Sequence, residues 1–236
     1  MASIEIKICG LARRDDAAYA LDAGADYIGF VLYAGSPRCV SALKLAQLLD
    51  GISRPRKAVG VFVNESRANV EKIATDCDLF AVQLNGDESA ADFEDMPVPV
   101  WRSIRFRNRI CRPTPAKWMA ARYVVDSAVP GLYGGTGRPA DWKLAAAFAR
   151  RHPTMLAGGL TPANVANAVR TTQPAGVDVS SGVEKSPRRK DRERMAAFIW
   201  NAREAAGKKC CFCREPTTQE RGRTSRSRQR PGRRRL

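Results

Sequence analysis

Short apolar runs alternate with amphipathic stretches from one end of the chain to the other. Ile4–Cys9 (IEIKIC) alternates as a strand does, and Arg13–Ala23 then carries Ala17, Ala18, Ala20 and Leu21 at helical spacing before Gly24 stops it. Tyr27–Tyr33 (YIGFVLY) is almost continuously apolar, as a strand buried on both faces is. A loop with Gly35, Ser36 and Pro37 leads to Ser41 as N-cap of a helix over Ala42–Leu49. The same pair recurs as strand Ala58–Val63 with helix Ser66–Cys77, and as strand Leu79–Leu84 with helix Glu88–Met96. The fifth unit is less regular: strand Val98–Phe106, an Arg/Asn-rich loop over Arg105–Arg112, and a helix near Pro115–Ala121. Strand Tyr123–Asp126 is followed by a glycine-rich loop to Arg138 and helix Asp141–His152. Strand Met155–Gly158 precedes helix Pro162–Thr172, with Thr161 as N-cap and proline at the first helical position. Strand Val177–Ser180 and helix Asp191–Ala206 complete the series.

Alternation of this kind implies a parallel sheet with helices outside it. Eight strand–helix units in one chain of this length point to a single-domain α/β fold, a (β/α)8 TIM barrel over residues 1–207. The competing architecture is an open, doubly wound sheet. The glycine-rich phosphate fingerprint that such a sheet carries in its first turn is absent. In a barrel the strand C-termini and the loops after them form one face, and that face holds the site. The residues expected to converge there are Cys9, Tyr33 to Arg38, Asn64, Gln83 to Asn85, Arg102 to Arg105, Asp126, Gly158-Gly159 and Ser180-Ser181.

Charge changes this picture only at the end of the chain. Of the net +16, the segment 208–236 contributes +9 through 11 Lys and Arg against 2 Asp and Glu, leaving +7 for everything before it. The segment has Phe212 as its lone aromatic and few aliphatics, so a disordered Arg-rich tail is expected. An inert extension, a translated frameshift or mispredicted end, and a basic arm for RNA all fit that composition; a nucleic-acid partner is expected for the tail only, if at all. Its Cys210, Cys211 and Cys213 lack a fourth ligand at zinc-finger spacing, and Cys9, Cys39, Cys77 and Cys111 are too scattered for a disulfide framework. The N-terminus has no basic and apolar regions of a signal peptide, and no run approaches a membrane span. A protein of the cytoplasm, with no membrane partner and as monomer or homodimer, is the expectation.

Two groups on the expected rim exchange protons. Cys9 and Asp126 each end a strand, and a thiolate base facing a carboxylic acid across a substrate makes an acid–base pair. As an alternative, Cys9 is a small buried hydrophobe. Gly158-Gly159 ahead of a helix and Ser180-Ser181-Gly182 after the last strand provide approachable backbone N–H groups, and a phosphorylated substrate is expected there. Arg38, in Gly35-Ser36-Pro37-Arg38, suits two-pronged recognition of a carboxylate. Gly134-Gly135-Thr136-Gly137 reads as a lid or a phosphate nest, without the Gly-Lys-Ser/Thr of a Walker loop. His152, the only histidine, reads as a surface cation at a helix end.

The order of these motifs resembles one family. Lys7-Ile8-Cys9-Gly10, Ser36-Pro37-Arg38, Val59-Gly60-Val61-Phe62-Val63-Asn64, Val82-Gln83-Leu84, Val125-Asp126-Ser127, Leu156-Ala157-Gly158-Gly159-Leu160 and Gly176-Val177-Asp178-Val179-Ser180-Ser181-Gly182-Val183-Glu184 together are similar to phosphoribosylanthranilate isomerases over residues 5–206. The resemblance implies a cofactor-free, metal-free Amadori rearrangement in tryptophan biosynthesis. It implies Asp126 as general acid and Cys9 as general base. Arg38, Gln83, Gly158, Gly159, Asp178, Ser180 and Ser181 are then the substrate-binding set. The chain departs from the family at Asn85, where histidine is common, and at Arg138-Pro139-Ala140, where a phenylalanine often precedes Asp141-Trp142. Another phosphosugar barrel, such as indole-3-glycerol phosphate synthase, would need catalytic lysines and a glutamate on strand ends. A barrel retired to nucleic-acid binding would not need the acid, the thiol and the anion loops together.

Overall fold

The computed structural model describes residues 4–52, 56–107, 109–126 and 141–207. The eight expected strands are β1 (Glu5–Ile8), β2 (Tyr27–Val31), β3 (Ala58–Phe62), β4 (Ala81–Leu84), β5 (Val100–Arg107), β7 (Arg122–Val125), β8 (Thr154–Leu156) and β9 (Gly176–Val179). All their mutual pairings are parallel, in the order β4-β3-β2-β1-β9-β8-β7-β5, and β5 pairs back onto β4. The sheet is therefore a closed eight-stranded barrel with no free edge.

Alternation along each strand sorts side chains into two cores. Ile6, Ile8, Ile28, Phe30, Phe62, Leu84, Ile104 and Val125 face outward and pack under the helices. Tyr27, Val59, Ala81, Trp101, Val124 and Met155 fill the inside. The helices are α1 (Arg14–Asp22), α2 (Ala42–Asp50), α3 (Arg67–Asp76), α4 (Trp142–Ala149), α5 (Val165–Thr172) and α6 (Arg192–Ala205). Ser41 caps α2 through Lys44 N, and Ser66 caps α3 through Asn69 N. Gly24 ends α1 with φ +99°, a conformation costly for any residue with a β-carbon.

Four expectations are corrected. The helix expected over Glu88–Met96 is one 3-10 turn, Ala91–Phe93. Pro97 restricts the residue before it, and Glu94 and Asp95 would sit against the negative end of a helix dipole. The helix expected near Pro115–Ala121 is likewise a 3-10 turn, Pro115–Lys117, because Trp118 turns inward beneath Arg102 at 4.7 Å. The loop over Arg105–Arg112 is a hairpin: β6 (Ile110–Arg112) pairs antiparallel with the end of β5, around Arg109 at φ +64°. Finally, α5 begins at Val165. Thr161 does not cap it; the Asn164 side chain instead accepts from Thr161 N at 2.8 Å and donates to Gly159 O at 2.9 Å.

After β9 the chain makes a 3-10 turn, Ser181–Val183, and a small hairpin of β10 (Glu184–Ser186) and β11 (Arg189–Lys190) before Asp191 caps α6. His152 is half-buried just beyond α4. It stacks on Phe148 at 4.3 Å and lies edge-on to Tyr123 at 5.2 Å.

Candidate active site

The C-terminal rim is built around β1. Its inward residues are Glu5, Lys7 and Cys9, which the contacts make plain: Lys7 Nζ donates to Gln83 Oε1 on β4 at 3.0 Å and to Asp178 Oδ2 on β9 at 2.9 Å. β4 lies three places from β1 in the ring, so that bond runs through the barrel interior. Lys7 is fully buried. One layer above it, at the mouth, is Cys9, whose N–H donates to Val179 O at 2.8 Å. Gly29 on β2 makes the room: a β-carbon there would stand 2.8 Å from Cys9 Sγ and 2.9 Å from Lys7 Cε.

Burial pushes the Cys9 thiol above its ordinary range. The ammonium of Lys7 opposes that rise, the Asp178 carboxylate adds to it, and Lys190 opposes it from β11. Burial alone would lower Lys7, but Asp178 and Cys9 hold it above the usual lysine value. Gln83 is oriented by its own partners. Its Oε1 must face the lysine donor, so its Nε2 donates onward to Asn85 Oδ1 at 2.9 Å. Asn85 is thus reached from Lys7 through Gln83.

The loops after β1, β2 and β9 meet at Gly10, which has φ +70°. A β-carbon there would stand 2.5 Å from Arg38 Cδ and 2.6 Å from Ser180 Oγ. Arg38 presents Nε and Nη2 to the two oxygens of Glu184 at 2.8 and 2.6 Å. Lys190 Nζ bonds the same carboxylate at 3.0 Å and Ser180 O at 3.0 Å. Burial would raise Glu184, yet Arg38 and Lys190 hold it below the usual carboxylate value. Asp178 Oδ1 and Ser180 Oγ are buried at this mouth without a hydrogen-bond partner among the described residues. Such groups are costly unless something polar meets them.

The two glycine-built loops expected to hold an anion lie side by side. Gly158 and Gly159 follow β8 with φ +78° and +61°, both left-handed. Gly182, after Ser181, sits so close to them that a β-carbon would fall 1.9 Å from Leu160 O. Asp126 ends β7, half-buried, with its N–H donating to Ile104 O at 3.2 Å. The expected lid, Gly134 to Gly137, and the tail 208–236 lie outside the described residues.

All nine expected site residues stand at or just inside one rim. Sequence reasoning gave no role to Lys7, Glu184 or Lys190. Among the described residues no group of three or more His, Cys, Asp or Glu is placed to hold a metal ion. No described helix is long and apolar enough to cross a membrane.

The family model for N-(5'-phosphoribosyl)anthranilate isomerase matches residues 6–201. The chain belongs to this isomerase family. An N-(5'-phosphoribosyl)anthranilate isomerase of Trichlorobacter lovleyi is 41% identical over 203 residues, covering 86% of this chain and 99% of that one. One from a Roseiflexus species, strain RS-1, is 46% identical over 215 residues, covering 86% and 99%. The crystal structure of the Thermotoga maritima isomerase superposes with a TM-score of 0.76 at 31% identity, covering 85% of this chain and 99% of that one. An isomerase crystallised with reduced 1-(o-carboxyphenylamino)-1-deoxyribulose 5-phosphate gives a TM-score of 0.73 at 30% identity, with the same coverage. Family membership and the closed barrel therefore rest on separate observations, one of sequence and one of shape.

Proposed function

We propose that the chain isomerises N-(5'-phosphoribosyl)anthranilate to 1-(o-carboxyphenylamino)-1-deoxyribulose 5-phosphate, a step of tryptophan biosynthesis, by general acid–base catalysis. The carrying observation is the strand order. Between β1, which Cys9 follows, and β7, which Asp126 follows, lie β9 and β8, and these lead into the two loops read as anion-binding. A phosphate held there by the backbone of Gly158, Gly159, Ser180 and Ser181 leaves the sugar between the thiol and the carboxyl group.

In this reading Asp126 gives a proton to the furanose ring oxygen as the C1′–O bond breaks, leaving a Schiff base. Cys9 takes the proton from C2′, and the resulting enolamine tautomerises to the amino ketone. Asp178, fixed through Oδ2 by Lys7, turns Oδ1 toward a substrate hydroxyl, and Gln83 floors the pocket. Arg38 holds the anthranilate carboxylate with the donors that Glu184 leaves over. A guanidinium has five N–H groups, and two of its nitrogens are occupied by that ion pair. The protein acts in the cytoplasm as a monomer or homodimer.

The test is the fluorescence decay of phosphoribosylanthranilate with wild type, Cys9→Ser and Asp126→Asn. Wild type is expected to turn over, and both variants to lose a factor of order 10² or more. Undiminished turnover by Cys9→Ser would refute the assignment of the base.

A further inference from the structure

Charge is arranged around Cys9 with an imbalance. The groups facing it from neighbouring elements are Lys7 on its own strand, Asp178 on β9, Lys190 on β11 and Arg38 in the loop after β2. Glu184 on β10 joins Arg38 and Lys190. Three cations thus face two carboxylates. Arg38 and Lys190 are held on Glu184 by three hydrogen bonds. Lys7 is different. Its ammonium is fully buried, one layer below the sulfur, with its Cε and the Cys9 Sγ both crowding the space that Gly29 leaves open.

The bonds to Asp178 and Gln83 fix the ammonium in place, next to the space at Gly29 that Lys7 Cε and Cys9 Sγ share. An ammonium so placed cannot swing away to water, and a low-dielectric interior strengthens its field at the sulfur. A buried lysine–carboxylate pair contributes little to stability against an apolar replacement, so its presence calls for another explanation.

We propose that Lys7 is a positioning residue for Cys9: its ammonium, locked by Asp178 and Gln83 beneath the sulfur, stabilises the thiolate that accepts the substrate proton. This rests on the reading of Cys9 as the base. Asp178 sets the strength of the effect, because its negative charge partly cancels the field of Lys7. Gln83, itself held by Asn85, keeps the ammonium from drifting. The chain Lys7–Gln83–Asn85 therefore gives the amide at position 85 an orienting task that needs no titration.

The experiment follows the rate at which iodoacetamide alkylates Cys9 in the full-length protein as pH is raised, read from the mass of the Cys9 peptide so that the other six cysteines do not interfere. Lys7→Gln keeps a neutral donor for Asp178 and removes the charge; its alkylation midpoint is expected at least one pH unit above wild type, a tenfold loss of thiolate at fixed pH. Asp178→Asn leaves Lys7 uncompensated, and its midpoint is expected to move the opposite way, below wild type. A pair with only a structural role would not shift the thiol in opposite senses. A Lys7→Gln midpoint at or below wild type, or an Asp178→Asn midpoint that is unmoved or raised, overturns the proposal. If Lys7→Gln does not fold, the Asp178→Asn arm decides alone. Turnover by Cys9→Ser is a separate measurement: it bears on the identity of the base and leaves the titration result standing.

Discussion

Gly182→Ala addresses the proposed anion loops with the smallest possible perturbation. The φ of Gly182 lies outside the left-handed region, so alanine brings no backbone strain of its own. The obstacle is contact. The new methyl carbon would lie 1.9 Å from Leu160 O, a backbone atom. An ordinary carbon–oxygen approach is about 3.4 Å, so the loops after β8 and β9 must part by about 1.5 Å. The proposed phosphate site spans both loops, and a misplacement of about 1 Å can cost of order 10² in rate. Phosphate contacts hold ground state and transition state alike, so the loss should appear mainly in KM and only slightly in kcat.

The assay is steady-state fluorescence decay, together with competitive inhibition by inorganic phosphate, whose inhibition constant should rise in parallel. Gly24→Ala is the control. Its φ of +99° imposes strain of about 1–2 kcal/mol, but its β-carbon would meet only Ile199 Cγ2 at 3.8 Å, far from the rim. It should lower Tm by about 2–8 °C and leave KM alone. Unchanged KM and phosphate inhibition in Gly182→Ala would refute the placement of the phosphate between these loops. An equal rise of KM in Gly24→Ala would show that the effect is general loosening.

Three further outcomes are expected. Arg102→Leu removes a buried guanidinium bonded to Leu84 O, Gly86 O and Glu88. Leaving Glu88 buried without its partner should cost roughly 3–5 kcal/mol, a Tm drop of about 6–20 °C by calorimetry. Glu5 and Glu184 are both held below 4.5 in the fold, because Arg122 for the first, and Arg38 with Lys190 for the second, outweigh burial. The unfolded chain then binds more protons, so this stabilisation is complete above about pH 4.5 and is lost as pH falls through the depressed native values. Urea midpoints measured from pH 7 to 3.5 should drop at the acid end, and less so in Glu184→Gln. Tyr27 is pushed up to about 12, by burial first and then by Glu5; its ultraviolet absorbance should show it still protonated at pH 11 in the folded protein and ionised near 10 after unfolding.

How much of this could be read in the chain depends on what each signal measures. Strand and helix periodicity recorded burial, and burial in a barrel is regular, so the eight strands and the six main helices were legible. The helices expected after β4 and β5 were not, because Pro97 and the inward turn of Trp118 override local pattern. The placement of Cys9, Asp126 and the paired glycines on one rim was legible because each follows an apolar strand, and parallel strands of a closed barrel end on one face. Lys7 was not. In Ile4-Glu5-Ile6-Lys7-Ile8, alternation reads as one face in solvent, whereas Glu5 and Lys7 face a closed interior whose polar partners come from β4, β7 and β9. Arg38 was placed correctly on the rim, but its ion pair with Glu184 lies 146 residues away and left no local trace.

That distance along the chain recurs throughout the site. Lys7 meets Asp178 across 171 residues, Arg38 meets Glu184 across 146, and Lys190 N–H meets Asp16 across 174. Each bond joins the first strands to be synthesised to the last. The mouth proposed for catalysis is therefore also the seam at which the ring is sealed. A growing chain that has made β1, β2 and Arg38 holds a thiol and two cations without the carboxylates that fix them. On the proposed assignment, turnover requires the final strand to have docked, so the appearance of activity during refolding would serve as a clock for ring closure.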